Sequence, residues 1–148
     1  MLTPMLVLLI GVVLAALACV RRIPEGHAYT LRRVGGHMRT IGAGTHIVLP
    51  LLERVAHRIR LLGNVVTFQR LQVAQQRYSG SVYYQVLDAE RADAVIDNVD
   101  NLVTGCLRGL LDGSTEDDTS RNARLKSALN RQLGERGLMV TRVQIAGE

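Results

Sequence analysis

"SVYYQVLDAERADAVIDNVDNLVTGCLRGLL" (Ser81–Leu111) carries two periodicities, one after the other. In its first part Val82, Tyr84 and Val86 alternate with Tyr83 and Gln85, continuing a face that begins at Tyr78 and Gly80. Such alternation sends successive side chains to opposite faces of a strand, with one face buried. From Asp88 the period changes. Ala92, Val95, Ile96, Val99, Leu102, Val103, Cys106 and Leu110 recur at three- and four-residue spacing, which predicts one amphipathic helix over Asp88–Leu111.

Downstream, "DGSTEDDTS" (Asp112–Ser120) breaks the helix with a polar, acidic loop, and Asp118 or Thr119 offers a cap for a second helix. That helix carries Leu125, Leu129 and Leu133 on one stripe and ends at Gly134 or Gly137. A last strand follows, with Met139, Thr141, Val143 and Ile145 on one side. Upstream, Tyr29 and Leu31 alternate with Thr30 and Arg32 before a Gly35-Gly36 turn. Gly42-Ala43-Gly44 turns the chain again ahead of a short strand, His46–Leu49, closed by Pro50. Val55, His57, Ile59 and Leu61 share a face of the next strand, and a long strand-like run covers Val65–Leu87. Strands, then helices, then a strand predict an α+β fold, an antiparallel-rich sheet with two packing helices.

The first twenty residues, Met1–Val20, contain no charge. As a helix they reach roughly the 30 Å of a bilayer core. A cleaved secretory signal needs a positive n-region, and no Lys or Arg precedes Arg21. A lipoprotein site at Cys19 has its Leu out of place, at Leu17. The remaining reading is a retained anchor over residues 1–22, with 23–148 as the folded domain. Arg21 and Arg22 flank its C-terminal end, so the positive-inside rule places the domain in the cytoplasm, on a single-pass cell-membrane protein. The shortness of the run also allows a shallow, half-inserted hairpin.

The charged residues all lie after Val20, and the formal net charge is +5. The arginines are scattered along the sequence and nucleic-acid motifs are missing, so an anionic membrane surface is the expected partner, with no nucleic acid. Aromatic content is 3%, which makes the core aliphatic. Cys19 and Cys106 lie in an apolar segment and a helix and do not suggest a disulfide.

Four stretches share a resemblance. "IPEG" (Ile23–Gly26), with Pro24 and Gly26, resembles the V-P-x-G opening of the SPFH or band 7 family of stomatin, prohibitin and flotillin. "LRRVGGHMRTIGAGTHIVLPLLERV" (Leu31–Val55) resembles E-R-x-G-K followed by L-x-P-G-L-H-x-x-x-P-x-x-D-x-V, through Gly35, Gly44, His46, Pro50 and Val55. Ala43, Thr45 and Glu53 depart from it, standing for Pro, Leu and Asp. "SVYYQVLDAERA" (Ser81–Ala92) resembles V-x-Y-R-V-x-D-x-x-x-A through Tyr84 and Asp88, and "SRNARLKSALNRQLGERGLMVTRVQI" (Ser120–Ile145) resembles the closing helix and G-I-x-V-x-x-V-x-I strand through Gly137. Gln-rich "QRLQVAQQR" (Gln69–Arg77) replaces the family's T-x-D-N-V. The family's long Ala/Glu-rich assembly helix is not in this sequence, so weak, membrane-dependent homo-oligomers are expected.

Catalytic chemistry needs convergent polar groups. His27, His37, His46 and His57 lack metal-ligand spacing, and Ser79-Gly80-Ser81 lies in a strand. Gly42-Ala43-Gly44 is too short to cradle a phosphate, and "TEDD" (Thr115–Asp118) lacks the other ligands of a calcium loop. Neither catalytic residue, metal nor cofactor is expected. The resemblance implies a membrane-anchored scaffold that organises microdomains or regulates a membrane protease or channel. An accessory binding subunit of a larger membrane complex is the alternative, and a membrane-bound hydrolase is a weaker one.

Overall fold

The computed structural model describes residues 2–111 and 117–147, with side chains from Pro4 onward. The chain divides into two compact units, one ending at Arg58 and the other beginning at Ile59.

The N-terminal unit opens with α1 (Leu2–Ala18), which has Pro4 in its first turn, where a missing N–H breaks no helical bond. The helix stops at Ala18. The Cys19 N–H donates back to the Ala16 carbonyl, and the chain turns at once into β1 (Val20–Ile23), paired antiparallel with β4 (Gly44–Ile47). The apolar run is therefore divided. Cys19 and Val20, counted in the sequence as membrane-crossing length, belong to a turn and a sheet, which suits β-branched Val20. The 17 residues of α1 rise about 25 Å, short of a bilayer core of about 30 Å. No described helix is long and apolar enough to cross a membrane. This overturns the expected transmembrane anchor over residues 1–22. The single-pass cell-membrane placement and the cytoplasmic orientation drawn from Arg21 and Arg22 fall with it.

The same unit holds a second sheet, ordered β3 (Met38–Ile41), β2 (His27–Arg33), β5 (Glu53–Arg60); the last two residues of β5 fall in the second unit. In the β2–β3 hairpin Tyr29 faces Ile41 and Arg32 faces Met38. Ile23, Leu31, Ile41 and Val48 form a small core, with Tyr29 packed against it. The Arg58 guanidinium lies over the Tyr29 ring, 5.5 Å from its centroid.

The C-terminal unit is built on an antiparallel sheet, β6 (Asn64–Val73), β7 (Gln76–Val86) and β8 (Leu138–Gly147), with β7 central. The long run read from Val65 is thus a hairpin. It turns at Ala74, whose φ is 54°. Two bulges re-aim its strands. One lies between Phe68 and Leu71, and the other lets β8 shift register between Val140 and Arg142. A bulge adds one residue and flips the faces beyond it. Leu138 and Val140 are therefore buried before it and Val143 and Ile145 after it, while Met139 and Thr141, expected inside, are not. A single antiparallel-rich sheet was expected; the described residues form three small ones, and the fold remains α+β.

The single helix expected over Asp88–Leu111 is broken into α2 (Ala89–Asp93), a 3-10 turn (Ile96–Asn98) and α3 (Val99–Leu110). Val95 and Asn98 take non-helical conformations, with φ near −122° and −125°. β-branched Val95 and the locally hydrogen-bonding Asp97 and Asn98 are weak helix formers. α4 (Asp118–Gly134) is capped by Asp117, whose carboxylate accepts from the Thr119 N–H at 3.2 Å, one residue ahead of the predicted caps. Most of the preceding acidic loop, including Thr115 and Glu116, lies outside the described residues.

Polar side chains of α4 close the outer edge of β8. Asn130 accepts from the Val140 N–H at 2.7 Å and donates to its carbonyl at 3.1 Å. Asn122 accepts from Ile145 N–H, and Arg121 donates to the Ile145 carbonyl at 2.9 Å. An edge satisfied in this way offers no backbone template to another strand.

Candidate functional site

Among the described residues the histidines do not converge on one another. His46 Nε2 donates to the Gly42 carbonyl at 3.0 Å, and His27 and His37 each bond a carbonyl two residues back. These are local turn contacts. Among the described residues no three His, Cys, Asp or Glu side chains are grouped to hold a metal ion. Tyr84, on β7, is nearly buried, and this burial raises its phenol above the ordinary 10.0, with the Asp100 carboxylate adding to the shift. That keeps it neutral and makes it a poor proton donor.

Asp88 and Gly137 meet. The Gly137 carbonyl accepts from the N–H groups of Leu87 and Asp88, at 2.8 and 3.2 Å. Asp88 in turn caps α2, accepting from Glu90 and Arg91 N–H. Gly137 has φ of +74°, and a Cβ there would collide with the Asp88 carbonyl oxygen. This pair joins the end of β7 to the start of β8; it is architecture.

The feature that calls for a partner is apolar, and it lies in the N-terminal unit. Ten large side chains on α1, from Met5 to Leu17, are between 49% and 76% exposed. They occur all round the helix. A helix with no polar face is ordinarily buried, and free proteins rarely expose contiguous apolar surface of such extent. Beside its C-terminal end lies the turn Leu49–Leu52, where Leu51 is 93% exposed. The Leu49 carbonyl closes this turn by accepting from both Leu52 and Glu53 N–H, at 2.9 and 2.8 Å. The Val48 N–H bonds the Cys19 carbonyl at 2.8 Å, which holds the turn against the helix end. Between them is an apolar cavity of about 500 Å³, lined by Ala15, Ala18, Cys19 and Leu49–Leu52.

Of the sequence-selected residues, Cys19 and Pro50 are brought together in this cavity. Arg21 and Arg22 stand on β1, opposite His46 and Thr45, with Gly44 opposite Ile23. Pro24 and Gly26 form the turn between β1 and β2, and Gly35 lies at the tip of the β2–β3 hairpin. Leu49, Leu51 and Leu52 were not singled out in the sequence. Their signal was present in "LPLLER", three leucines at a turn where polar residues are usual.

No family model matches the chain. It is similar to an uncharacterised protein of Mycobacterium tuberculosis (strain ATCC 25618 / H37Rv) and to one of Mycobacterium bovis, each 31% identical over 153 aligned positions. The similarity covers 94% of this chain but 40% of each relative, so the chain spans less than half the length of these proteins.

Proposed function

We propose that the chain is a non-catalytic scaffold module that docks on a lipid leaflet. In this reading α1 and the Leu49–Leu52 turn enter the acyl layer without crossing it, and the C-terminal unit serves a protein partner. The single observation behind this is the exposed, all-round apolar surface of α1 beside an apolar turn. Covering ten such side chains is worth on the order of 10 kcal/mol, enough to hold a small domain at a surface. The scaffold reading takes its support from the resemblance of the motif order to the SPFH or band 7 family, whose scaffolds regulate membrane proteases and channels. Homo-oligomerisation on the bilayer belongs to the same proposal.

The accessory-subunit reading is favoured by one feature of the C-terminal unit. An open groove of about 410 Å³ runs along α3, lined by Leu102, Gly105, Cys106 and Gly109, with Gln132 of α4. It suits a protein partner and is compatible with leaflet docking.

Co-flotation with phosphatidylcholine vesicles tests the leading reading. The full chain is expected to float, and Leu9→Asp, at an exposed position of α1, to weaken binding about a hundredfold with unchanged circular dichroism. A protein that stays at the bottom of the gradient, or a variant that floats as well as the parent, defeats the proposal.

A further inference from the structure

A second cavity adjoins the apolar one and shares two of its walls. It measures about 420 Å³ and is lined by Arg32, Arg33, Val34, Gly35, Gly36, Leu51, Leu52 and Arg54. Leu51 and Leu52 also line the apolar cavity at the end of α1. Three guanidinium groups thus stand on one side of a leucine pair, and purely apolar surface on the other.

The arrangement is held by backbone bonds. The Val34 N–H donates to the Leu52 carbonyl at 2.9 Å, tying the tip of the β2–β3 hairpin to the leucine turn. The hairpin tip is closed by bonds between Arg33 N–H and the His37 carbonyl and between Gly36 N–H and the Arg33 carbonyl. On its other side the turn is tied to α1 through Val48 and Cys19. Arg33 is partly balanced by Glu53, 3.8 Å away. Among the described residues Arg32 and Arg54 have no carboxylate partner, and both are exposed. Two to three uncompensated donors of this kind match a phosphate group, which guanidinium binds through paired N–H bonds.

We propose that these adjoining cavities form one site for an acidic phospholipid. The phosphate lies among Arg32, Arg33 and Arg54, and the acyl chains run over Leu51 and Leu52 toward Ala15, Ala18 and Cys19. This deepens the leaflet reading and rests on it, because it specifies which lipid the docked face selects. Charge complementarity beside an apolar wall decides the occupant. Free phosphate would leave the leucines uncovered, and a zwitterionic lipid would bring an ammonium that offsets its phosphate beside Arg32 and Arg54.

Flotation is measured with vesicles of phosphatidylcholine alone and with phosphatidylglycerol mixed in. The full chain is expected to bind the mixed vesicles more tightly. Arg32→Gln with Arg54→Gln is expected to remove roughly thirtyfold of that preference. Arg77→Gln with Arg142→Gln removes the same charge from exposed positions of the C-terminal unit and is expected to leave the preference intact. Equal losses from both pairs would show diffuse attraction and overturn the site, as would a parent protein with no preference. Inorganic phosphate, compared with chloride at matched ionic strength, is expected not to displace the protein; displacement would overturn the lipid assignment. Failure to float with either vesicle defeats the leaflet reading itself, whereas flotation without preference defeats only the headgroup site.

Discussion

The two units spend their apolar residues in opposite ways. In the C-terminal unit Val82, Val103, Leu107, Leu125 and Leu129 are wholly buried, and twenty buried residues (Ile59 to Ile145) join in one cluster. In the N-terminal unit the core is four residues, while α1, Ile47 and Leu51 carry their apolar surface outward. A unit with so small a core gains little by folding in water alone. Its exposed apolar surface is what the proposed leaflet docking would cover.

The largest effect expected is a core truncation that separates the units. Leu129→Ala removes a wholly buried side chain of α4 and is expected to destabilise by about 2–5 kcal/mol. Leu14→Ala, at a 62% exposed position of α1, is expected to stay within about 0.5 kcal/mol in water. Urea denaturation followed by circular dichroism compares them. Equal losses would mean that α1 is packed in water, and the contrast between the units would break.

Next in size is the junction of Asp88 and Gly137. Gly137→Ala places a side chain at positive φ against the Asp88 carbonyl and is expected to cost about 1–3 kcal/mol. Asp88→Ala removes the cap of α2, for about 1 kcal/mol. Since these residues touch, the double variant is expected to fall short of the sum. Strict additivity in thermal melts would show that the two act separately. The vesicle binding of both variants is expected to match the parent's, because the proposed lipid site lies in the other unit.

Much of the C-terminal unit was legible because its periodicities are enforced by burial. Leu125, Leu129 and Leu133 lie on one stripe and all are buried, and Val82, Tyr84 and Val86 share the inner face of β7. Where sequence reasoning failed, the cause was local geometry that leaves the apolar pattern intact. Helical spacing persists through Val95 and Ile96 although the backbone there is not α-helical, and the β8 bulge swaps Thr141 out without altering composition. In the N-terminal unit an apolar run was counted by length, and hydropathy alone could not show that Val20 pairs with Ile47. The cavity proposed for a lipid was hidden for another reason. Arg32 on β2 and Arg54 on β5 lie far apart in sequence and converge through the pairing of these strands and the bond between Val34 and Leu52, which no residue pattern encodes.

The smallest effect expected is a pH dependence confined to the C-terminal unit. Tyr84 is held above the ordinary tyrosine value of 10.0, first by burial and then by Asp100. In the unfolded chain the phenol ionises near that ordinary value, while the folded protein keeps its proton to higher pH. The native state therefore binds more protons in this window, and stability falls as pH rises from 10.0 toward the elevated folded value. Tyr84→Phe removes the ionising group and is expected to flatten this alkaline limb, so that parent and variant differ in slope above pH 10.0 and run parallel below it. Urea midpoints across the alkaline range measure the difference. Parallel curves throughout would show that Tyr84 ionises as freely in the folded state as in the unfolded one. That would require the face of β7 beside α3 to admit water, and the dry core that distinguishes this unit from its neighbour would not extend to Tyr84.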